Sequence, residues 1–320
     1  MTSRRAKPRR ALPDVAALIP RDADEAVVAL GPQRVRLTNL GKLYWPDDGI
    51  TKGDLLRYYV RVAPFLLPHL RDRPMVLRRY PNGVRDAGFF MKNAPVPRPE
   101  WVQTCHVVRG ERTTDFVLVQ DLATLLWVAN LGCIDLNPWY SRCDTLDQPD
   151  AFLFDLDPGP EAAFAKVREG ALVVRDALTS LGIPAYAKTT GSRGIHVAVP
   201  IKRGPTQEAV WAFARALAGE LTGRHPALFT VEYAKVKRPR DRVLLDYNQM
   251  ANEQTLASIY SPRPKPRAPV STPLTWAEVD RDVAIADFRI DNVPTRLSRR
   301  GDLWKPLLAV RRRFDLGRFV

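Results

Sequence analysis

FLFDLDPGP, residues 152–160, sets two aspartates one residue apart inside an apolar run and then stops the run with proline and glycine. Alternation along a strand puts Leu153, Asp155 and Asp157 on one face and Phe152, Phe154 and Leu156 on the other, so the two carboxylates point the same way. Side by side they repel and raise each other's pKa unless a cation stands between them, and oxygen ligands of this kind suit magnesium or manganese. The plainer alternative is a turn in which Asp157 satisfies backbone amides ahead of Pro158. Either way the stretch reads as a strand in mid-chain, and the segments that follow it decide the architecture.

The next stretch, EAAFAKVREGALVVRDALTSLG, carries Phe164, Val167, Ala171, Val174, Leu178 and Leu181 on one helical face and ends at Gly182. GIHVAVPI is the next strand, TQEAVWAFARALAGELTG a second helix stopped at Gly223, and DRVLLDYN a third strand. This β-α-β-α-β order predicts an α/β (α+β) core over 149–262, with helices flanking one mostly buried, mixed central sheet. Upstream, ITKGDLLRYYVRVAPFLLPHL predicts a helix capped by Thr51, with Leu55, Tyr58, Tyr59, Val62 and Leu66 at helical spacing until Pro68. Strands at PMVLRRYP, DFVLVQD and CIDL, with a helix at DLATLLWVANLG, complete a smaller N-terminal α+β module over 33–148. Residues 1–32 read as a loose basic arm, SPRPKPRAPVSTP (261–273) as an extended wrap over the surface, and Leu303–Phe314 as a closing helix within a C-terminal segment 263–320.

Composition narrows the partners. The 320 residues hold 49 Lys and Arg against 35 Asp and Glu, a formal charge of +14, which suits a polyanion such as nucleic acid but equally an arginine-rich proteome with basic tails. A hydrophobic content of 45% is enough for a proper core, and no segment approaches the ~18 consecutive apolar residues of a membrane span. The start MTSRRAKPRR has no apolar signal core, so a cytosolic protein with no membrane partner is expected. Cys105, Cys133 and Cys143 show no CxxC spacing and read as reduced core thiols, neither disulfide-bonded nor zinc-bound.

Two further features bear on the aspartate pair. In KTTGSRGIHVAVPI, Thr190, Gly191, Ser192, Arg193 and Gly194 form a small-residue loop whose amides and hydroxyls can donate to phosphate oxygens, with Arg193 as a clamp and His196 on the strand behind. A satisfied core histidine is the competing reading of His196. In RVLLDYNQM, Asp246 shares its strand face with Leu244 and Asn248, and a buried, unpaired carboxylate there requires a cation. Three carboxylates on strand ends beside a phosphate loop make the constellation of two-metal phosphoryl or nucleotidyl transfer.

The order DLDP, TTGSRGIHV, LLDYNQ resembles the polymerase domain of bacterial ligase D, a branch of the archaeo-eukaryotic primase superfamily used in non-homologous end joining, from about Leu37 to Arg311. The resemblance implies a primase-like catalytic core with Asp155, Asp157 and Asp246 as ligands of Mn2+ (or Mg2+). It implies that Thr190, Ser192, Arg193, His196 and Arg263 contact the incoming nucleotide, NTP in preference to dNTP. Lys42 and Lys52 match the paired basic residues that hold the 5′ phosphate of a gapped or broken DNA end; Phe89 and Phe90 match an aromatic pair that stacks on template bases, with Arg79 as a further DNA contact. Without the family, the lysines read as solvated charges and the phenylalanines as core. Asn137, grouped by the resemblance with the nucleotide-binding residues, stands where better-known members carry a histidine near the metals, and Arg193 replaces a common lysine. No KxDG-type adenylation motif appears, so the chain is expected to be a stand-alone polymerase or a fragment of a longer protein, working with a Ku-like end-binding protein and an ATP-dependent DNA ligase in trans. Two other classes stay open: a haloacid dehalogenase-type phosphatase, whose nucleophile motif also reads as apolar residues and DxD, and a module that only bridges DNA ends.

Overall fold

The computed structural model describes residues 18–251 and 253–320. It opens with β1 (Ala26–Leu30) and β2 (Gln33–Leu37), a two-stranded antiparallel ribbon, followed by the short pair β3 (Leu43–Trp45) and β4 (Ile50–Thr51). The fold thus begins before Gln33, because Ala26 to Leu30 find strand partners that a weakly periodic sequence does not announce. The expected arm shrinks accordingly, and its first 17 residues lie outside the described ones.

Helix α1 (Lys52–Leu70) starts where the sequence predicts, with Thr51 and Asp54 closing a reciprocal capping box, an arrangement that stabilises a helix end by ~1 kcal/mol. It runs past Pro68 and contains Pro64 as well. Each proline removes one intrahelical donor, but Leu55, Leu56, Tyr59, Val62, Leu66 and Leu70 are fully buried and hold the helix in place. Strands β5 (Pro74–Arg79), β6 (Phe89–Met91), β7 (Thr104–Arg109), β8 (Arg112–Leu118) and, after helix α2 (Leu122–Asn130), β9 (Cys133–Pro138) form one antiparallel sheet in the order β6-β5-β8-β7, with β9 also on β5. At its edge Cys105 and Cys143 are disulfide-bonded, whereas reduced thiols were expected; Cys133 alone is free, and buried. Sequence spacing does not reveal the pairing, since the two cysteines meet only when β7 folds onto the small core of Phe116 and Trp139.

The second half contains β10 (Ala151–Pro158), α3 (Phe164–Ser180), β11 (Tyr186–Thr189), β12 (Ile195–Pro200), α4 (Gln207–Arg224), β13 (Phe229–Thr230), β14 (Val243–Asp246), β15 (Pro273–Leu274), α5 (Trp276–Asp280), α6 (Val293–Arg300) and α7 (Lys305–Leu308). The sheet order is β13-β14-β10-β12-β11-β15, antiparallel except for the parallel β13–β14 pair. Alternation on β10 is as read: Phe152, Phe154 and Leu156 are wholly buried on the face where α3 and α4 pack, leaving Asp155 and Asp157 on the opposite face. The expected helix over 303–314 is broken into α7 and a 3-10 turn, Val310–Arg312. The proline-rich wrap is extended but does not stay on the surface, because Ser261, Ala268, Val270, Ser271 and Thr272 are buried as it joins the sheet edge through β15. One continuous core unites both halves, and among the described residues no helix is long and apolar enough to cross a membrane.

Candidate active site

Strand register assembles the site. Asp155 on β10 is the direct cross-strand partner of Asp246 on β14 and of His196 on β12, and His196 is in turn opposite Lys188 on β11. A single row, Asp246, Asp155, His196, Lys188, therefore crosses four adjacent strands, with Asp157 two residues farther along β10. Asp155, Asp157 and His196 line a cleft of about 740 Å3 together with Arg78, Phe90, Asp135, Asn137, Thr190, Ser192, Arg193, Arg263 and Lys265.

The charges in this row perturb one another. Burial, then the Asp155 charge, pushes the Asp157 carboxyl above the usual range, although Arg193 places its Nη2 at 3.2 Å and 3.3 Å from the two oxygens. The imidazole of His196 has its Nε2 3.3 Å from Asp155 Oδ1 and is buried at 1% exposure. Burial first and the Lys188 charge second push it down to about 4, so it is neutral at pH 7 and keeps one N–H; its Nδ1 has no hydrogen-bond partner. Buried Lys188 donates to Ala257 O (2.9 Å) and Ser271 Oγ (2.6 Å), and desolvation pushes it well below the usual lysine range.

Two expectations change. Asp246 is buried but not unpaired: its carboxylate accepts hydrogen bonds at 2.8 Å from the Tyr233 hydroxyl, the Asn248 amide and Gln249 Nε2, because the chain turns into a 3-10 segment directly after β14. In the loop, Thr190 Oγ1 accepts from the amides of Ser192 (3.1 Å), Arg193 (3.2 Å) and Gly194 (3.1 Å), so these three donors serve the loop itself and not an external phosphate. The Thr190 hydroxyl proton, Ser192 and the Arg193 guanidinium remain for a ligand. Glycine is required twice: Gly191 has φ +67° with Arg263 Cγ only 2.7 Å from where a Cβ would sit, and a Cβ on Gly194 would strike the Leu156 carbonyl of β10.

Among the described residues no group of three or more His, Cys, Asp or Glu side chains is arranged as a ready metal cage. The donor set nonetheless fits a divalent cation. Asp155 and Asp157 are like charges sharing one face, with Asp157 raised by burial and then by that proximity, and Asp246 has committed three of its roughly four acceptor positions to neutral donors.

Arg263 lies across the cleft floor, donating through Nη1 to Thr190 O (2.9 Å) while its Nε sits 3.3 Å from Asp135 Oδ1. Asn137 is buried and donates to the Asp135 carbonyl at 3.3 Å. Sequence reading passed over Asp135 and Lys188, although each is a lone charge in a strand of apolar neighbours, CIDL and AYAK, which is the signal that singled out Asp246.

On the N-terminal module the competing readings of Lys52, Phe89 and Phe90 fall, whereas Lys42 is exposed as a solvated lysine would be. Lys52 is 4% exposed and donates to Thr38 O at 2.7 Å, so it is not a solvated lysine; burial, then the neighbouring Lys42, pushes it down to about 8. Lys42 donates to Asn82 Oδ1 at 2.8 Å. Phe89 and Phe90 are 47% and 61% exposed, hence not core, and carry the guanidinium groups of Arg79 and Arg78 over their rings at 5.4 Å and 5.3 Å. Arg79 is itself tied down, its Nε donating to Leu131 O at 2.8 Å.

The family model of the LigD primase-polymerase domain matches residues 51–304. The chain belongs to this family. Its fold is accordingly that of the archaeo-eukaryotic primases, within a family of nucleotidyltransferase-type enzymes that generally depend on divalent metal, and the phosphatase alternative is set aside. Among similar proteins is the multifunctional non-homologous end joining DNA repair protein LigD of Mycobacterium tuberculosis, 33% identical over 283 residues that cover 86% of this chain and 37% of that protein. The bifunctional non-homologous end joining protein LigD of Bacillus subtilis is 30% identical over 269 residues, 84% of this chain and 43% of that protein. The chain thus spans about two-fifths of the length of these relatives. A solved structure, the polymerase domain from Mycobacterium tuberculosis ligase D in complex with DNA, superimposes with a TM-score of 0.80 at 31% identity, covering 86% of this chain and 98% of that one.

Proposed function

We propose that the protein is a template-directed, metal-dependent nucleotidyltransferase that adds nucleotides, ribonucleotides in preference to deoxyribonucleotides, at gaps and broken DNA ends in non-homologous end joining. The observation that carries this reading is the row on the sheet: two same-face carboxylates in need of a cation open into one cleft with Arg193 and Arg263. Asp155, Asp157 and Asp246 would hold divalent metal, Mn2+ or Mg2+, which when bound lowers the pKa of a 3′ hydroxyl and neutralises the triphosphate. Arg193, released from Asp157, and Arg263 bind phosphate oxygens, while neutral His196 donates its N–H and the Thr190 and Ser192 hydroxyls orient the tail. Asn137 can donate a hydrogen bond at the position it occupies but supplies no charge. Phe89 and Phe90 offer a stacking surface to template bases, and Lys42 with Lys52 a pocket for the 5′ phosphate across the gap. In a cell the protein would act on nucleoid DNA in the cytoplasm, beside a Ku-like end-binding protein and an ATP-dependent ligase.

The test is incorporation into a gapped duplex bearing a downstream 5′ phosphate, with NTPs or dNTPs and with Mn2+ or Mg2+. Extension is expected with NTPs and Mn2+, and none from the Asp155→Ala, Asp157→Ala variant. Tight binding of the gapped duplex with no extension under either metal would select the end-bridging module instead.

A further inference from the structure

Asp135 is the one buried carboxylate at the cleft floor that the proposed chemistry leaves without a task. It is 1% exposed, and it stands between two arginines that come from different parts of the chain. On one side is Arg263 of the wrap, with Nε at 3.3 Å from Oδ1; on the other is Arg78, its cross-strand partner on β5, with Nη1 at 3.7 Å from Oδ2. Neither contact has hydrogen-bond geometry, and Asp135 Oδ1, Arg263 Nε and Arg78 Nε are all buried without a hydrogen-bond partner, so the three groups are held together by charge. Each arginine then reaches a different working surface. Arg263 donates to the Thr190 carbonyl and packs its stem against Gly191, which fixes the TTGSRG loop. Arg78 lies 5.3 Å from the ring centroid of Phe90 and 5.3 Å from that of buried Tyr80, which braces the Phe90 member of the exposed aromatic pair.

A carboxylate in a cleft that takes a polyanion is electrostatically unfavourable for that ligand, so its presence there calls for a compensating role. We propose that Asp135 is a positioning residue that holds the phosphate-binding arginine and the template-stacking arginine in one register, so that nucleotide and template are presented together. Removing its charge releases both guanidinium groups. Removing Arg78 alone releases only the template side. The proposal rests on the polymerase reading given above, and the two can fail separately, because binding of each ligand is measured without catalysis.

The experiment compares wild type with Asp135→Asn and Asp135→Glu. Nucleotide binding is followed with a fluorescent, non-incorporable ribonucleotide triphosphate in the absence of DNA, template stacking through the quenching of 2-aminopurine placed in the unpaired template, and incorporation through the split between KM and kcat. Asp135→Asn is expected to weaken nucleotide binding and raise the nucleotide KM by about ten-fold, on the scale of one lost charged tether, and to diminish quenching, with kcat changed less and Asp135→Glu restoring most of both. The Asn substitution deletes a negative charge, so simple electrostatics predicts the opposite sign. Nucleotide binding that tightens or stays unchanged would therefore overturn the proposal, as would a loss of nucleotide binding with quenching intact. Should Asp135→Asn not fold, as judged by its thermal melt, Arg78→Gln carries the test: quenching falls while nucleotide binding measured without DNA holds within two-fold, and any other pattern refutes the two-armed anchor. A wild-type protein that binds nucleotide and template but never incorporates refutes the polymerase reading and leaves this one standing.

Discussion

The two halves of the molecule each set two like charges close together, and they treat them differently. In the catalytic half Asp157 faces the Arg193 guanidinium at 3.2 Å and Asp155 the neutral imidazole of His196 at 3.3 Å, and burial still holds Asp157 above the usual carboxylate range. In the N-terminal half Lys52 and Lys42 donate to neutral oxygens, Thr38 O and Asn82 Oδ1, and burial with the repulsion of Lys42, against the pull of Asp24, pushes Lys52 down to about 8. An acidic pair with one exposed, movable guanidinium at hand is suited to exchange it for a metal. A basic pair that donates to carbonyl and amide oxygens and forms no direct ion pair among the described residues is suited to a fixed anion such as a terminal phosphate.

The largest expected effect breaks the comparison on its acidic side. Asp155→Asn with Asp157→Asn should abolish incorporation, by on the order of 10^3-fold or more, since several kcal/mol of charge stabilisation at the reacting phosphate is lost. Folding should survive. Because Asp157 has a folded-state pKa above its unfolded value, its ionised form costs stability, and that cost grows as pH rises through the folded pKa; the doubly substituted protein should therefore melt no lower than wild type at pH 7. A melting temperature that falls sharply would mean that the pair is a structural ion cluster and not a cation site.

An effect of intermediate size concerns the aromatic pair. Phe89→Ala with Phe90→Ala should weaken binding of unpaired template by roughly 1–3 kcal/mol per stacked base, read by fluorescence anisotropy with gapped and fully duplex DNA. Both rings are about half exposed or more, so the melting temperature should barely move. Equal losses on gapped and duplex DNA would detach the pair from template recognition.

Much of this was legible in the chain. The strand FLFDLDP, both long helices after it and the capped helix at Thr51 follow from periodicity and capping chemistry, which are local. What sequence could not supply is what a neighbouring element does to a residue. Asp246 looked unpaired because its acceptors' partners, Tyr233 and Gln249, become neighbours only after a parallel strand and a 3-10 turn are in place. The short strand β11 escaped notice because Tyr186–Thr189 has no alternation of its own; it is held by β12 and by the last residues of the wrap. Cys105 and Cys143 likewise meet only across a sheet edge. The proposed DNA contacts of Lys42, Lys52, Phe89 and Phe90 come from family likeness; burial of Lys52 and exposure of both rings are unusual for their residue types, whereas Lys42 lies exposed as lysines commonly do.

The smallest effect sharpens the basic side of the comparison. Lys52→Ala should lower affinity for gaps bearing a 5′ phosphate by a few-fold, leave unphosphorylated gaps nearly unchanged, and flatten the salt dependence by about one unit of slope. The pH dependence of the wild type carries the same information with a definite sign. Lys52 has its folded pKa depressed to about 8, so between there and the ordinary lysine value the unfolded chain binds the extra proton, and stability due to this group rises as pH rises through that window. Phosphate binding favours the charged amine and so runs the other way: selectivity for the 5′ phosphate should be full below about 8 and decline above it, with proton uptake on binding in that range. Lys52→Ala should remove both trends together. If phosphorylated and unphosphorylated gaps lose affinity equally, or if selectivity is flat through pH 9 in the wild type, the buried ammonium is a packing feature of the start of α1 and the 5′ phosphate is held elsewhere.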